Sequence, residues 1–265
     1  MNLFKKIKNR ITVAQQKNKR SDGFIFSPKS NGWQNIFCCK SKTVLSLYAR
    51  DEIDIKVLEQ IFTQEDYALR KLVRFPEICK KYEKISANST PLILDCGANI
   101  GAASVYFATQ FPKAKIVSIE PEPNNLSTCQ KNTCHFSNIR TLHAAVGSTC
   151  QQGEILDPGE GNWGFRVTNS SNGGINIVSI NALLESDLCQ NSTPFIIKID
   201  IEGFESDLFK ENTEWMDQFP LIIIELHDWM LPKTANSKYF LQAISRLDRD
   251  FVFFGENVFS ISNRI

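Results

Sequence analysis

No run of apolar residues in this chain of 265 approaches the ~20 needed to cross a bilayer, so a spanning helix is not expected. No charge sign predominates either. Thirty basic side chains face 29 acidic ones, which removes the electrostatic footprint of a nucleic-acid binder. An Asn-Pro-Pro-Tyr-type base-clamping motif is also missing. Histidine is scarce, with three residues at 135, 143 and 227. Cysteine is not scarce, but the eight thiols at 38, 39, 79, 96, 129, 134, 150 and 189 contain no C-x-x-C pair. Neither a zinc framework nor a disulfide scaffold is expected from them, and free thiols in a reducing cytosol account for the pattern. Met1 to Arg20 holds seven Lys and Arg residues without an acid, and lacks the apolar centre of a signal peptide. Phe4, Ile7, Ile11 and Ala14 fall at the spacing of a membrane-surface helix, but a loosely packed basic extension is the plainer reading. No internal repeat occurs. An apolar content of 42% supplies a core for one α/β domain.

What is present is a strand that ends in an acid and turns through two glycines into a helix: Pro91-Leu92-Ile93-Leu94-Asp95-Cys96-Gly97-Ala98-Asn99-Ile100-Gly101. A nucleotide-like cofactor docks at such a carboxyl edge of a parallel sheet. Gly97 and Gly101 let backbone approach a ligand that a Cβ atom would block. The spacing differs from the dinucleotide fingerprint G-x-G-x-x-G, in which bare backbone meets a pyrophosphate. Asp95 would repel a diphosphate and suits the ammonium of a methionine moiety. Asn99 offers a hydrogen bond where the dinucleotide motif has glycine. A second strand, Lys115 to Glu120, ends in an acid placed to accept both ribose hydroxyls. Together these point to S-adenosyl-L-methionine (SAM) rather than NAD, so an NAD-linked dehydrogenase is the disfavoured alternative. Ala144 and Ala145 end a third strand, where small residues admit an adenine ring or simply pack tightly.

With these blocks, and with Ile197-Lys198-Ile199-Asp200-Ile201-Glu202-Gly203-Phe204-Glu205, the chain resembles the FkbM-type class I methyltransferases over roughly residues 44 to 263. The Asp95–Gly101 and Ile119–Asn124 blocks are shared in outline by many methyltransferases, whereas the K-x-D-x-E-G-x-E block is more specific to this family. The resemblance implies a cytosolic SAM-dependent O-methyltransferase acting on hydroxyls of sugars or small metabolites. A SAM-binding scaffold without turnover is the other alternative, opposed by the intact Asp95, Glu120 and charged strand.

Strand and helix alternate from Pro91 onward, which predicts a doubly wound, Rossmann-like α/β sheet of seven strands. Strands are expected at 91–96, 115–120, 141–146, 195–201, 220–227, 250–255 and 258–262, the last two forming an antiparallel hairpin across Glu256-Asn257. Helices are expected at 100–110, 123–135, 179–188, 204–216 and 236–247. Residues 1–43 read as an irregular basic extension, 44–90 as a strand–helix module, and 91–265 as the methyltransferase domain. In the middle module helices are expected over 54–62 and 67–82, forming a lid with Tyr67 at the mouth or packing on the sheet edge. The segment 151–174, loaded with Gly and Asn, reads as an insertion whose Asn162-Trp163-Gly164-Phe165-Arg166 grips an acceptor or folds onto the core.

The chemistry should sit at strand ends. Lys198, Asp200 and Glu202 lie two apart and share one face of a central strand, where ionisable groups are expensive unless paired or used. Glu225 and His227 repeat the pattern on the next strand. A Lys198–Glu225 pair across the two strands is expected, with Asp200, Glu202 and His227 further out as the catalytic set. His227 is the expected base, with Asp200 or Glu202 fixing its tautomer or holding the acceptor hydroxyl. The same residues with Asp228 make a divalent-metal site conceivable. Gly203 and Glu205 equally suit a plain helix start, so no metal is expected.

Overall fold

The computed structural model describes residues 23–27, 30–157, 159, 164–170 and 173–265. The basic segment with its membrane-surface spacing, and Asn162 and Trp163 of the expected acceptor loop, lie outside these residues. Among the described residues no helix is long and apolar enough to cross a membrane. The chain divides between Tyr67 and Ala68 into two units.

The first unit holds an antiparallel three-stranded sheet, β1 (Phe24–Phe26), β2 (Trp33–Cys38) and β3 (Thr43–Tyr48). An irregular segment was expected over 21–43, and two of these strands replace it. In β2, Gln34, Ile36 and Cys38 are buried and alternate with half-buried neighbours, the period of a strand with one covered face. The turn before it is Asn31-Gly32, both left-handed at φ 51° and 80°, closed by reciprocal Ser30–Trp33 backbone hydrogen bonds. That dipeptide is the strongest short-range hairpin signal a sequence carries. Helix α1 (Glu52–Glu59) follows, with Asp51 accepting from the N–H groups of Ile53 and Asp54 at its N-terminus.

In the second unit a 3₁₀ turn at Leu69–Lys71 precedes α2 (Phe75–Ser86), which starts later than the expected residue 67 because Pro76 belongs in a first turn. Its seven-stranded sheet has the order β13-β14-β12-β11-β4-β5-β6. In chain order these are β4 (Thr90–Cys96), β5 (Lys115–Ile119), β6 (Ile139–Leu142), β11 (Ser192–Ile199), β12 (Leu221–Glu225), β13 (Arg249–Phe254) and β14 (Asn257–Ser262). The first five are parallel, and β14 runs antiparallel to both neighbours, as the expected terminal hairpin requires. The doubly wound α/β fold is therefore present. From β4 the chain winds outward through β5 and β6, then returns to β11 on the other side of β4. The switch point is the β4–β11 boundary, where such sheets bind ligands.

One face of the sheet presents Leu92, Leu94, Val117, Ile119, Ile197, Ile199, Ile222 and Ile224. They bury against α5 (Ile180–Glu185), α7 (Lys238–Ile244) and the aromatic cluster of Phe209, Trp215, Phe219 and Phe240. On the other face, Ser118, Asp95 and Lys198 stand in register across β5, β4 and β11, a polar row under α3 (Ala102–Gln110).

Three elements depart from expectation. The strand expected at 141–146 is two strands. After β6, a tight turn (Ala144 N–H to Leu142 O, 3.1 Å) sends β7 (Ala145–Gly147) into a second sheet. That sheet has the order β7-β10-β8-β9, formed with β8 (Gln151–Leu156), β9 (Arg166–Asn169) and β10 (Ile175–Ser179), so the described residues of the expected insertion contain two strands. The helix expected over 204–216 lasts one turn, α6 (Glu205–Leu208), because the chain reverses through left-handed Asn212 into a 3₁₀ turn at Glu214–Gln218.

Arg249 ties the terminal hairpin to that turn. It is buried and donates to Ser260 Oγ (2.8 Å) and to the carbonyls of Ser260 (2.8 Å), Phe219 (3.0 Å), Met216 (3.3 Å) and Pro220 (3.4 Å). Arg249→Met strands several buried acceptors, at ~1 kcal/mol or more each. Urea unfolding is expected to show a loss of about 3 kcal/mol. A loss below about 1 kcal/mol would mean that water serves these carbonyls equally well.

Candidate active site

An open crevice lies at the switch point. Its floor is the turn after β4, where Gly97 and Ala98 donate to Ile119 O at 3.0 and 2.9 Å. Gly97 is left-handed (φ 77°), and a Cβ there would lie 1.7 Å from Asp200 O, so only glycine lets β4 and β11 meet. Asn99, also left-handed at φ 49°, donates its N–H to Glu120 Oε2 at 2.7 Å. Glu122 N–H binds the other oxygen, Oε1, at 3.0 Å. Two backbone donors thus fix the Glu120 carboxylate in the crevice wall. Burial pushes its pKa up to about 7, against the pull of those same N–H groups. Asn99 Oδ1 is buried without a hydrogen-bond partner, an acceptor set in the wall of the site. Ala144, Ala145 and Val146 give one side a small apolar lining.

Of the expected cofactor residues, Gly97, Asn99, Glu120 and Ala145 line the crevice, whereas Asp95 and Gly101 do not. Asp95 is fully buried beneath the turn. Its Oδ2 accepts from Ser104 Oγ at 2.6 Å, and its Oδ1 lies 3.1 Å from Lys198 Nζ, so its charge is spent inside the protein. Gly101 (φ 80°) starts α3, and a Cβ there would meet Cys129 Sγ at 2.9 Å on α4 (Pro123–Thr133). It serves helix packing.

The expected catalytic residues are drawn together. Asp200 and Glu202 line the crevice just beyond β11. Lys198 and Glu225 share a face as expected, but the ammonium is drawn toward the β4 side. It donates to Gly97 O at 2.6 Å and ion-pairs with Asp95 (3.1 Å) and Asp200 Oδ2 (3.4 Å). Glu225 meets His227 instead, 3.5 Å from Nε2. His227 is not at the mouth: it is 1% exposed, behind the two crevice carboxylates. Its Nε2 is 3.6 Å from both Asp200 Oδ1 and Glu202 Oε2, and its Nδ1 is 2.7 Å from Glu205 Oε1. Burial disfavours the charged ring, but the Glu205 hydrogen bond and charge, with the charges of Asp200 and Glu202, raise its pKa to about 9. Burial and the charge of Asp200 push Glu202 and Glu225 upward too. Asp200, Glu202 and His227 each offer an atom within 4.8 Å of the others.

Sequence reasoning missed Asn125, Val167, Ile201 and Phe204, which also line the crevice with Phe165 of the expected acceptor loop. The signal for Val167 was the short run Arg166–Asn169, read as part of a loop. Phe204 and Ile201 packed under β7 and β10 had no local signal at all.

Comparison with known proteins fits this geometry. Residues 95–253 match the methyltransferase FkbM domain model, and the chain belongs to that family. A hexuronic acid methyltransferase, AglP of Haloferax volcanii, is 25% identical over 172 residues, covering 62% of this chain and 69% of that protein. The methyltransferase sdnD of Sordaria araneosa is 29% identical over 109 residues, 40% of this chain and 36% of that protein. A solved structure, a putative caffeoyl-CoA O-methyltransferase from Staphylococcus aureus, is similar at a TM-score of 0.40 and 14% identity, over 80% of this chain and 100% of that one. The protein is a methyltransferase, and its methyl donor is SAM. The residues present fit that molecule: Glu120 for the ribose hydroxyls, the Asn99 acceptor for the ammonium, and Gly97 for close approach.

Glu120, the expected acceptor of the ribose hydroxyls, must be ionised to fill that role, and burial pushes its pKa up to about 7. SAM affinity is therefore expected to rise roughly tenfold between about pH 6 and 8, as the ionised fraction grows. Calorimetry should show Glu120→Gln binding roughly tenfold more weakly above neutrality, with the pH dependence flattened. An unchanged pH profile in that variant would assign the dependence elsewhere.

Proposed function

We propose that the chain methylates a hydroxyl of a sugar or another small hydroxylated acceptor. The observation that carries this reading is the pair of carboxylates, Asp200 and Glu202, in the wall of the same crevice that holds Glu120. The similarity to a hexuronic acid methyltransferase supports a sugar as acceptor.

SAM, when bound, supplies a methyl group already activated on a sulfonium centre. The chain therefore has to place and deprotonate. Glu120, Asn99 and the Gly97 turn fix the donor end, and small side chains at 144–146 leave room for its base. An acceptor hydroxyl would donate to Asp200 or Glu202, which would orient its oxygen and take up its proton as the methyl group is transferred. His227 holds the two carboxylates from behind and acts as a positioning residue.

The test is labelled-methyl transfer to a panel of neutral hexoses, hexuronic acids and their nucleotide-linked forms. A base-stable methyl ether is expected. Glu202→Gln should lower kcat by 100-fold or more, the worth of a proton-transfer group, with SAM affinity within about threefold. Label recovered as a base-labile ester, or kcat unchanged in the variant, would overturn the assignment.

A further inference from the structure

We propose that Asp200, Glu202 and His227 hold a divalent cation of the hard, oxygen-preferring class, such as Mn²⁺, to which the acceptor hydroxyl binds. The inference rests on the methyl-transfer reading and deepens it. Charge balance comes first. Asp200, Glu202, Glu205 and Glu225 all lie within 3.6 Å of one imidazole, and Lys198 Nζ stands 3.4 Å from Asp200 Oδ2, with Asp200 Oδ1 turned toward the ring. Such crowding of carboxylates is expensive unless a cation is shared among them.

The histidine supplies an independent sign. Its Nδ1 is held by Glu205 Oε1 at 2.7 Å, and Glu205, fully buried, is fixed in turn by the side-chain amide of Asn236 on its other oxygen. A carboxylate that fixes one ring nitrogen and presents the other is the usual support of a metal-binding histidine. The presented atom, Nε2, makes no close contact among the described residues: its neighbouring oxygens stand 3.5 to 3.6 Å away. That is long for a hydrogen bond. It suits adjacent ligands sharing an ion at bonds of ~2.1 Å, which stand about 3.0–3.5 Å apart. Two carboxylates and one imidazole, on the crevice side of which a hydroxyl can enter, favour Mn²⁺ or Mg²⁺ over softer ions. A cation there lowers the pKa of a bound hydroxyl.

The experiment titrates Mn²⁺ into chelator-stripped full-length protein and follows the free-ion signal by electron paramagnetic resonance. One ion per chain is expected. Asp200→Asn and Glu202→Gln should each weaken it tenfold or more, and Glu205→Gln, which does not touch the ion, by roughly 10- to 100-fold. Glu154→Gln, on the exposed side of β8, serves as a control with binding unchanged. SAM titration of each variant, within about threefold of the parent, shows that it is folded. No Mn²⁺ binding by the parent, or equal binding by parent and the Asp200 and Glu202 variants, overturns the cation site. Failure of the methyl-transfer reading looks different: no label reaches a hydroxyl with or without Mn²⁺.

Discussion

The Lys198 ammonium is the constraint on which the site depends. A parallel strand covered on both faces is normally apolar throughout, yet β11 carries a lysine only 3% exposed. Burying that charge is tolerable only because its partners converge: Asp95 at the end of β4, Asp200 beyond the end of β11, and the Gly97 carbonyl in the turn between β4 and α3. Ser104 and Ser118 extend the network beneath α3, each hydroxyl within 2.6 Å of a partner. A single buried cation therefore joins the two strands that flank the switch point. It also sets the height of the turn on which a cofactor rests.

Close contact follows from that joint. Gly97 must be glycine because Asp200 backbone lies where a side chain would begin. Asp200 in turn faces two ways, one oxygen toward Lys198 and the other toward His227. The cofactor corner and the carboxylate cluster are thus mechanically one object. His227 and Glu205 brace it from behind, so that the crevice presents Asp200 and Glu202 while the imidazole stays covered.

The doubly wound sheet and its terminal hairpin were legible, because alternating strand and helix patterns with short links admit few topologies. Glu120 was legible as a strand-end acid at the crevice, because that placement needs only local chain geometry. The burial of Asp95 and its Lys198 partner were not legible, for the opposite reason. Parity along a strand tells which face a residue takes, but only register tells that Lys198 sits beside it at the same level. The same gap turned the expected Lys198–Glu225 pair toward β4. The packing demand that Cys129, 28 positions along the chain, places on Gly101 leaves no local mark. The small second sheet was missed where short strands hide among Gly and Asn. The Asn31-Gly32 hairpin was there to be read and was passed over.

The buried clamp is tested most directly by a double-mutant cycle on Asp95 and Lys198, read by urea unfolding and by SAM calorimetry. Lys198→Met alone should cost about 3–5 kcal/mol, because Asp95 is left charged and buried, and SAM binding should weaken with it. Adding Asp95→Asn should restore most of the lost stability. A single Lys198→Met variant within about 0.5 kcal/mol of the parent, with unchanged SAM affinity, would show that the lysine holds nothing in place.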